Sequence, residues 1–508
     1  MLEFDNGEYE SVCIFAEKTD DRDGWICLEG PGGKEQQVHM NDDWYRLVQL
    51  ALPEKGIYRI SRKGVSFTQM YLSGGPDLMD RGIRFLDPDS GDEMELGKWY
   101  DTSVREQYHF NPFMNWVNDP NGLCWFKGYY HLFYQSNPFG QEWNDMYWGH
   151  AVSRDLIHWT HMPYVLEPQP DLWRDKEHKG GAFSGSAQVE GEQMHLYLTR
   201  HGEETREWQT EAVCWDGIHV EKERPCITER PEGASFDFRD PKVQRIEGMD
   251  YMVLGSSLDG VPSILLYVRE NGAWSFKGPL LQEHEPGIRT FECPDFFELD
   301  GKYVAAGAWM CHRDEAGRYQ MTRCYTGTFD GGRFKTEHQQ WYDFGSNFYA
   351  VQSFEHGGRR IAIGWISDFY GEHRVKPTGA CGSFSLPREL HMEQGRLFTE
   401  PVKECYGLLK ERIFAVSGQE VPPVIVPGNS FFVKIKLGDD RDFLVTLARE
   451  GDDALYLERK NGVTSLVSTR KEVSEVRFPS DVSTVRYVEI FMDRRVAEVY
   501  LNHGEAAG

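Results

Sequence analysis

Short runs in which apolar and polar residues alternate cover most of this chain, and no long helical periodicity interrupts them. In the middle of the chain, five pairs of apolar runs flank tight turns with the sequences KG, EGEQ, EGMD, DG and HGG. Such turns reverse antiparallel strands, so each pair predicts a β-hairpin. The hairpins recur at intervals of roughly 55 to 60 residues, which predicts the radial repetition of small sheets in a five-bladed β-propeller.

The sequence on either side of the hairpins predicts two further β-rich regions. Residues 1–104 contain short alternating runs punctuated by Gly, Pro and Asp, which indicate a small accessory β-domain. Residues 401–508 alternate again and indicate a separate β-sandwich. The predicted fold is therefore all-β, with a propeller over residues 105–400 between an N-terminal β-rich domain and a C-terminal sandwich.

The composition indicates a folded, soluble and acidic protein. The chain has 508 residues, a formal net charge of -26 and 40% hydrophobic residues. A strongly negative surface repels nucleic-acid phosphate and anionic lipid, so we expect neither of these partners and favour a neutral small molecule. The first residues contain no basic stretch followed by an apolar one, and the ten cysteines form no CxxC pair. We therefore expect a cytoplasmic protein with reduced thiols.

Polar residues occur at the same position in all five repeats, at the entrance to the first strand of each hairpin. These residues are Asp119 in WVNDPNG, Ser184 in FSGS, Asp240 in FRDP, Glu292 in FECPD, and Tyr349 with Gln352 in FYAVQSF. In a propeller the first strand of each blade lines the central axis. Residues at the same position of each repeat therefore converge at one end of that axis. The spacing therefore predicts a single pocket with three carboxylates.

Three carboxylates in one pocket repel each other, which raises at least one pKa and creates an acid and a base in the same site. Glycosyl transfer uses such a pair, one group to protonate the leaving oxygen and one to attack the anomeric carbon or activate water. Taken alone, Asp119 and Asp240 are better explained as turn residues, because each precedes a proline. Their shared repeat position, together with Glu292 between apolar neighbours, favours the functional interpretation.

Several tryptophans near these motifs have two interpretations. Trp116, Trp143 and Trp148 could belong to the core of a blade or form a platform that packs on sugar C–H bonds. Trp143 lies in the polar stretch GQEWNDMYWGH outside any clear strand, so we interpret it as a platform. Trp125 lies within an alternating strand, and we assign it to the core.

Seven motifs in this order, NWVNDPNG, HLFYQ, YWGHAVSRDLIHW, FSGS, FRDP, ECPD and SLPREL, resemble glycoside hydrolase family 32, the β-fructofuranosidases. The resemblance implies a five-bladed propeller followed by a β-sandwich. It also implies a retaining mechanism with Asp119 as the nucleophile, Glu292 as the general acid/base and Asp240 as the transition-state stabiliser. The positions matched to the fructosyl subsite are Asn118, Gln135, Trp143, Phe183, Ser184 and Arg239.

The resemblance implies a hydrolase that releases terminal β-D-fructofuranosyl units from sucrose, fructo-oligosaccharides or fructans, without a metal or organic cofactor. A fructosyltransferase, a related furanosidase that cleaves arabinans, and a carbohydrate-binding protein without activity remain alternatives. The three carboxylates argue against the last of these. The N-terminal 104 residues lie outside the two-domain core that the resemblance implies, and the sequence leaves open whether the protein forms a homo-oligomer.

Overall fold

The structure is a computed structural model that describes residues 1–202, 206–367, 369, 379–418, 424–426, 428–470 and 473–508. Regular structure in these residues is almost entirely β-sheet, as the alternating pattern predicts, and it forms nine sheets. Two short helices, α1 (Leu78–Arg81) and α2 (Leu96–Tyr100), follow the first sheets. Across the described ranges, no helix has the length and apolar character needed to cross a bilayer.

Eight strands near the N-terminus form two four-stranded sheets, which we call the N-terminal sheets. These strands are β1 Leu2–Asp5, β2 Ser11–Lys18, β3 Gly24–Glu29, β4 Glu35–Met40, β5 Tyr45–Ala51, β6 Ile57–Lys63, β7 Val65–Ser73 and β8 Arg84–Leu86. One sheet has the order β1-β6-β3-β4 and the other the order β5-β2-β7-β8. Apolar side chains of both sheets, including Phe4, Ile14, Ile26 and Met70, share one buried core.

The middle of the chain forms five sheets in succession. Their strands are β9 Asn115–Phe126, β10 Tyr129–Asn137, β11 Tyr147–Ser153, β12 Trp159–Leu166, β13 Gly180–Glu190, β14 Gln193–Gly202, β15 Trp208–Cys214, β16 Val220–Ile227, β17 Ala234–Ile246, β18 Met249–Leu258, β19 Val261–Glu270, β20 Ala273–Gln282, β21 Phe291–Leu299, β22 Lys302–Trp309, β23 Thr322–Phe329, β24 Phe334–Trp341, β25 Phe348–His356, β26 Arg359–Ile366, β27 Ala380–Cys381, β28 Ser383–Phe384, β29 Arg388–Glu393 and β30 Arg396–Pro401. Each sheet is built on an antiparallel meander of four strands, and β27 adds a parallel edge strand to the first sheet beside β9.

The first strands of these five sheets contact one another in a closed ring, in the order β9, β13, β17, β21, β25 and again β9. All five predicted hairpins are confirmed as the first two strands of these sheets. The turns at Lys127–Gly128, Glu247–Gly248, Asp300–Gly301 and Gly357–Gly358 have positive φ at both central residues. This backbone geometry matches the twist of the flanking strands, which explains why Gly recurs at these positions.

Eight further strands form two C-terminal sheets. They are β31 Ser430–Lys436, β32 Phe443–Glu450, β33 Asp453–Lys460, β34 Val463–Arg470, β35 Val473–Pro479, β36 Tyr487–Asp493, β37 Val496–Leu501 and β38 Ala506–Ala507. The sheets have the orders β31-β36-β37-β38 and β32-β33-β34-β35. Leu457 and Leu466 of one sheet pack with Ile490 and Val499 of the other in a shared core.

Buried contacts join these groups of sheets. Tyr129, Val152 and Met162 of the first central sheet belong to the same core as the N-terminal sheets. Phe491, Tyr500 and Ala507 of the C-terminal sheets share a buried core with the first and fifth central sheets. His109 adds a charged contact, because it lies buried between Asp493 at 2.9 Å and Glu498 at 2.9 Å. The two carboxylates outweigh the effect of burial and raise the pKa of His109 to about 9.

Candidate active site

A β-bulge interrupts the first strand of every central sheet at the level of the polar residues singled out in the sequence. The register with the second strand shifts between Val117 and Pro120 on β9 and between Ala182 and Gly185 on β13. The same shift lies at 239–242 on β17, 292–295 on β21 and 349–352 on β25. A bulge adds an unpaired residue and redirects side chains, so the repeated bulge turns one group of polar residues toward a common site.

The three predicted carboxylates meet around a single residue, Cys293. Its backbone N–H donates a hydrogen bond of 2.8 Å to Asp240 Oδ2. Its thiol Sγ lies 3.3 Å from Asp119 Oδ2, and Glu292 is the residue directly before it in the chain. Asp119, Asp240 and Glu292 therefore share one site, although they lie on strands β9, β17 and β21.

A chain of hydrogen bonds orients Asp119. The Ser184 hydroxyl donates to Asp119 Oδ2 and accepts a bond of 2.6 Å from Gln135 Nε2. Gln135 Oε1 in turn accepts from Asn118 Nδ2 at 3.2 Å, and Asn118 Oδ1 accepts from the Trp116 indole at 2.8 Å. The structure thus brings together three of the predicted subsite residues, Asn118, Gln135 and Ser184, behind one carboxylate.

Burial raises the pKa of Asp119, and the negative charge of Glu292 raises it further. Ser184, Asn118 and Cys293 oppose this shift, because they hydrogen-bond to the carboxylate and favour its ionised form. These donors hold the carboxylate in a fixed orientation while burial removes it from water.

Asp240 is the most strongly perturbed of the three carboxylates. Its backbone has a φ of 66°, and its N–H donates 2.9 Å to the Thr199 hydroxyl. Burial, together with the charges of Glu292 and Asp119, raises its pKa to about 8 even though the adjacent Arg239 lowers it. This environment favours the protonated form of the Asp240 carboxyl group.

Glu292 is held from two sides. The Tyr349 hydroxyl on β25 donates 2.6 Å to Glu292 Oε2, and Arg239 Nε donates 3.1 Å to Oε1. Arg239 also lies 2.8 Å from Asp237 and 2.7 Å from Glu207. This buried guanidinium is thus balanced by three carboxylates and links the site to the second central sheet.

Glu207 is a site residue that the sequence patterns missed. Its carboxylate accepts hydrogen bonds from the backbone N–H of Phe238 at 2.5 Å and from Arg239, and it contacts His201 Nδ1 at 2.8 Å. Burial alone would raise the pKa of Glu207, but Arg239 and His201 outweigh it and lower the pKa. Glu207 stands just before β15 in a polar run without a motif, so nothing in the sequence distinguishes it from a solvated acid.

The remaining predicted residues form an aromatic wall. The Trp143 side chain is 38% exposed, and its ring meets the edge of Phe183 at a centroid distance of 6.0 Å. Phe183 stacks on the imidazole of His201 at 4.2 Å. Phe183 precedes Ser184 on β13, so Trp143 and Phe183 form an aromatic pair next to the hydrogen-bonded chain that orients Asp119.

The other aromatic and polar candidates have different surroundings. Trp116 and Trp148 are buried in core clusters, and Trp125 packs on the same core as Trp116 and stacks on His356 at 4.3 Å. Gln352, which we grouped with Tyr349, accepts a hydrogen bond from Lys242 Nζ at 3.2 Å.

In chemical terms the site holds a buried carboxylate oriented by three donors, a second carboxyl group whose pKa is raised, and a third carboxylate that contacts an arginine and a tyrosine. An acid and a base in one pocket is the arrangement that glycosidic bond cleavage uses. Within the described ranges, no group of three or more His, Cys, Asp or Glu side chains is arranged to hold a metal ion.

Comparison with protein families agrees with this chemistry. The family model described as "Glycosyl hydrolases family 32 N-terminal domain" matches residues 109–401, which is more than half of the chain. This chain belongs to glycoside hydrolase family 32. It is therefore a hydrolase of the β-fructofuranosidase type, and the family resemblance drawn from the seven motifs is confirmed.

Individual relatives cover most of this family 32 chain. It is 33% identical over 431 residues to a sucrose-6-phosphate hydrolase from Escherichia coli, which covers 78% of this chain and 87% of the relative. A family 32 structure from Bifidobacterium adolescentis has a TM-score of 0.92 and 35% identity, and the match covers 100% of this chain and 94% of that one. The N-terminal sheets, which we had placed outside the family core, are included in this match.

A second structure matches less of the chain. The β-fructofuranosidase of Bombyx mori, solved as a variant in complex with sucrose, has a TM-score of 0.68 and 26% identity. This match covers 81% of the present chain and 89% of the silkworm protein.

Proposed function

We propose that this protein is a retaining β-fructofuranosidase that releases terminal β-D-fructofuranosyl units from sucrose and short fructo-oligosaccharides. The observation that carries the proposal is the convergence of Asp119, Asp240 and Glu292 around Cys293, whose N–H and thiol contact two of the three carboxylates. Two carboxyl groups that flank one glycosidic bond are the minimal equipment of a glycosidase, and the proposal of retention rests on the family to which the chain belongs.

The five central sheets are proposed to form a five-bladed propeller, and this fold supports the proposed function. The closed ring of first strands and the five successive sheets of four antiparallel strands support an arrangement of five blades around one axis. We assign residues 105–400 to the propeller, residues 1–104 to an N-terminal accessory domain and residues 401–508 to a C-terminal β-sandwich. The site then occupies one rim of the propeller, where the bulges of successive first strands meet.

In the first chemical step, Glu292 donates its proton to the glycosidic oxygen while Asp119 attacks the anomeric carbon. The bond from that carbon to the leaving sugar breaks, and a fructosyl ester of Asp119 forms. Ser184 and Cys293, which contact Asp119 Oδ2, keep the carboxylate aimed and partly neutralise its charge. In the second step, Glu292 removes a proton from water, and the resulting hydroxide cleaves the ester to release fructose.

Asp240 stabilises the transition state in this scheme. Its carboxyl group, whose pKa is raised to about 8, can exchange hydrogen bonds with sugar hydroxyls as positive charge develops on the ring. Asn118, Gln135 and Ser184 line the fructosyl subsite on one side, with Phe183 and Trp143 on the other. Arg239 contributes by contacting the Glu292 carboxylate at 3.0 Å.

Within the part of the chain that the structure describes, the charges that contact the site favour a neutral sugar as the substrate. Arg239 is balanced by Glu207, Asp237 and Glu292, and Arg289 is paired with Asp237 at 2.9 Å. A phosphorylated sugar would need a cation that is not already paired with carboxylates. We therefore rank sucrose above its 6-phosphate, although several relatives are sucrose-6-phosphate hydrolases.

The test is a kinetic panel that measures fructose release from sucrose, sucrose 6-phosphate, 1-kestose, inulin and levan, with the Asp119→Asn variant as the control for contaminating activity. The proposal predicts the highest kcat/KM on sucrose or 1-kestose. A clear preference for sucrose 6-phosphate would overturn the neutral-sugar assignment. Transfer products from sucrose alone would indicate a fructosyltransferase, and no release by the wild-type protein would indicate a binding protein.

A further inference from the structure

We propose that the N-terminal sheets complete the substrate-binding site by fixing the segment 138–145, which carries Trp143. Tyr45 and Thr68 are the positioning residues, because they hold this segment without lying at the carboxylates. The inference rests on the proposed role of Trp143 as a sugar platform, and it assigns a function to a part of the chain for which the sequence suggested none.

The segment 138–145 connects β10 to β11 and projects Trp143 toward solvent. Asn137, directly before the segment, donates 2.8 Å from Nδ2 to the carbonyl of Glu142 and accepts 3.0 Å at Oδ1 from the N–H of Phe139. The first central strand also holds its main chain, because Asn115 Nδ2 donates 2.6 Å to the carbonyl of Pro138 and the Trp116 N–H donates 3.1 Å to that of Gly140. A connection of this kind needs packing from outside if an exposed indole is to keep one position.

Three adjacent strands of one N-terminal sheet supply that packing. The Phe139 ring meets the ring of Tyr45 on β5 at 5.1 Å and the ring of Phe15 on β2 at 5.7 Å, both edge-on. The Thr68 hydroxyl on β7 donates 3.0 Å to the carbonyl of Pro138. Aromatic edge contacts and a backbone-directed hydrogen bond fix both the side chain and the main chain of the segment.

A second contact holds the segment that leads to Phe183, the aromatic partner of Trp143. The N–H of Trp44 donates 2.7 Å to the carbonyl of Trp173, and Lys176 Nζ lies 3.3 Å from the centre of the Trp44 ring. The segment 171–176 leads into β13, which carries Phe183.

The two held segments are also joined to each other. Asp145 Oδ1 accepts 3.2 Å from the N–H of Gly180, at the start of β13. The N-terminal sheets therefore support both partners of the edge contact between Trp143 and Phe183. The catalytic carboxylates lie on separate strands of the central sheets, so loosening this support should weaken sugar binding more than chemistry.

A double-mutant cycle with Tyr45→Ala and Trp143→Ala tests the inference on sucrose, with KM and kcat measured separately. Loss of an aromatic edge contact corresponds to about a five-fold change in an equilibrium constant. We expect Tyr45→Ala to raise KM about five-fold with kcat nearly unchanged, and to add nothing in the Trp143→Ala background. Tyr45→Phe, which keeps the ring, should restore the wild-type KM.

Two further variants distinguish a specific effect on KM from a general loss of stability. Trp25→Ala removes a half-buried aromatic side chain from β3 of the other N-terminal sheet and should leave KM unchanged. Thr68→Val keeps the shape of the side chain, removes the bond to Pro138 and should raise KM in the same direction as Tyr45→Ala.

The outcomes separate the inference from the proposed function. If Tyr45→Ala leaves KM unchanged, or raises it equally with and without Trp143, the positioning role is wrong while the proposed function stands. If Trp143→Ala itself leaves KM unchanged, the proposed role of Trp143 is wrong, and the inference that rests on this role is wrong as well.

Discussion

Replacement of Asp240 by asparagine should make the folded protein more stable at neutral pH while it impairs catalysis. Asp240 is 3% exposed, and its pKa is raised to about 8 by burial and by the charges of Glu292 and Asp119. A carboxyl group whose folded pKa exceeds its unfolded value holds a proton in the folded state that the unfolded chain releases. The stability that the protonated Asp240 carboxyl group contributes is therefore fully present below pH 3.8 and is lost as the pH rises through 8.

The magnitude follows from the interval between the ordinary carboxyl pKa of 3.8 and the working pH. Each pH unit in this interval removes about 1.4 kcal/mol, so the loss reaches about 4 kcal/mol at pH 7. This figure is an upper limit, because Asp119 and Glu292 redistribute protons when Asp240 ionises. Asparagine is neutral at every pH and retains an oxygen that can accept the 2.8 Å bond from the Cys293 N–H.

The assay is thermal unfolding of the wild-type protein and Asp240→Asn from pH 4.5 to pH 8.5. At about 2 to 4 °C per kcal/mol for a large domain, we expect the Tm of the variant to exceed that of the wild type by several degrees at pH 7.5. The difference should shrink toward pH 4.5. Asp21→Asn, an exposed aspartate, controls for the loss of one negative charge. A variant that is destabilised equally at all pH values would refute the reasoning.

Two other predictions concern the pH profile and the junction of the sheets. The kcat/KM of the wild-type enzyme should fall as the pH rises through about 8, because the Asp240 carboxyl group then loses the proton that it can donate to a sugar hydroxyl. A flat profile from pH 6 to pH 9 would contradict the raised pKa of Asp240. His109→Leu leaves Asp493 buried without its cation and leaves Glu498 paired with Arg388 alone, and the loss of a partner costs about 3–5 kcal/mol in comparable buried pairs. Since the pKa of His109 is raised to about 9, its contribution is fully present below pH 6.5 and is lost as the pH rises through 9. The Tm of His109→Leu should therefore drop more at pH 6 than at pH 9.5, and an equal drop at both would contradict this assignment.

Local signals in the sequence were sufficient to predict the five hairpins. Glycine recurs where a two-residue turn needs positive φ, as at Gly128, Gly248 and Gly301, and the apolar runs beside these turns are buried strands. The third and fourth strands of each sheet gave weaker signals, because outer strands such as β16 and β20 mix exposed charged residues with half-buried ones. Their pairing depends on the strands beside them.

The candidate site could be predicted only where its residues share a repeat position. Asp119, Ser184, Asp240, Glu292 and Tyr349 lie at the repeated bulge, so one periodicity argument finds them all. Glu207 and Cys293 act through contacts between different sheets, which no sequence spacing encodes. The support that Tyr45 and Thr68 give to the segment of Trp143 likewise depends on how the N-terminal sheets pack against the first central sheet.

The central claim is that Asp119 attacks the sugar while Glu292 supplies and removes the proton. Glu292→Gln should still allow slow formation of the fructosyl ester from a substrate with a good leaving group but should impede its hydrolysis. After acid quenching, mass spectrometry of the digested variant is predicted to find one fructosyl group on the peptide that contains Asp119. An unmodified Asp119 peptide, with the label on Asp240 or on no residue while sugar is still turned over, would contradict the account.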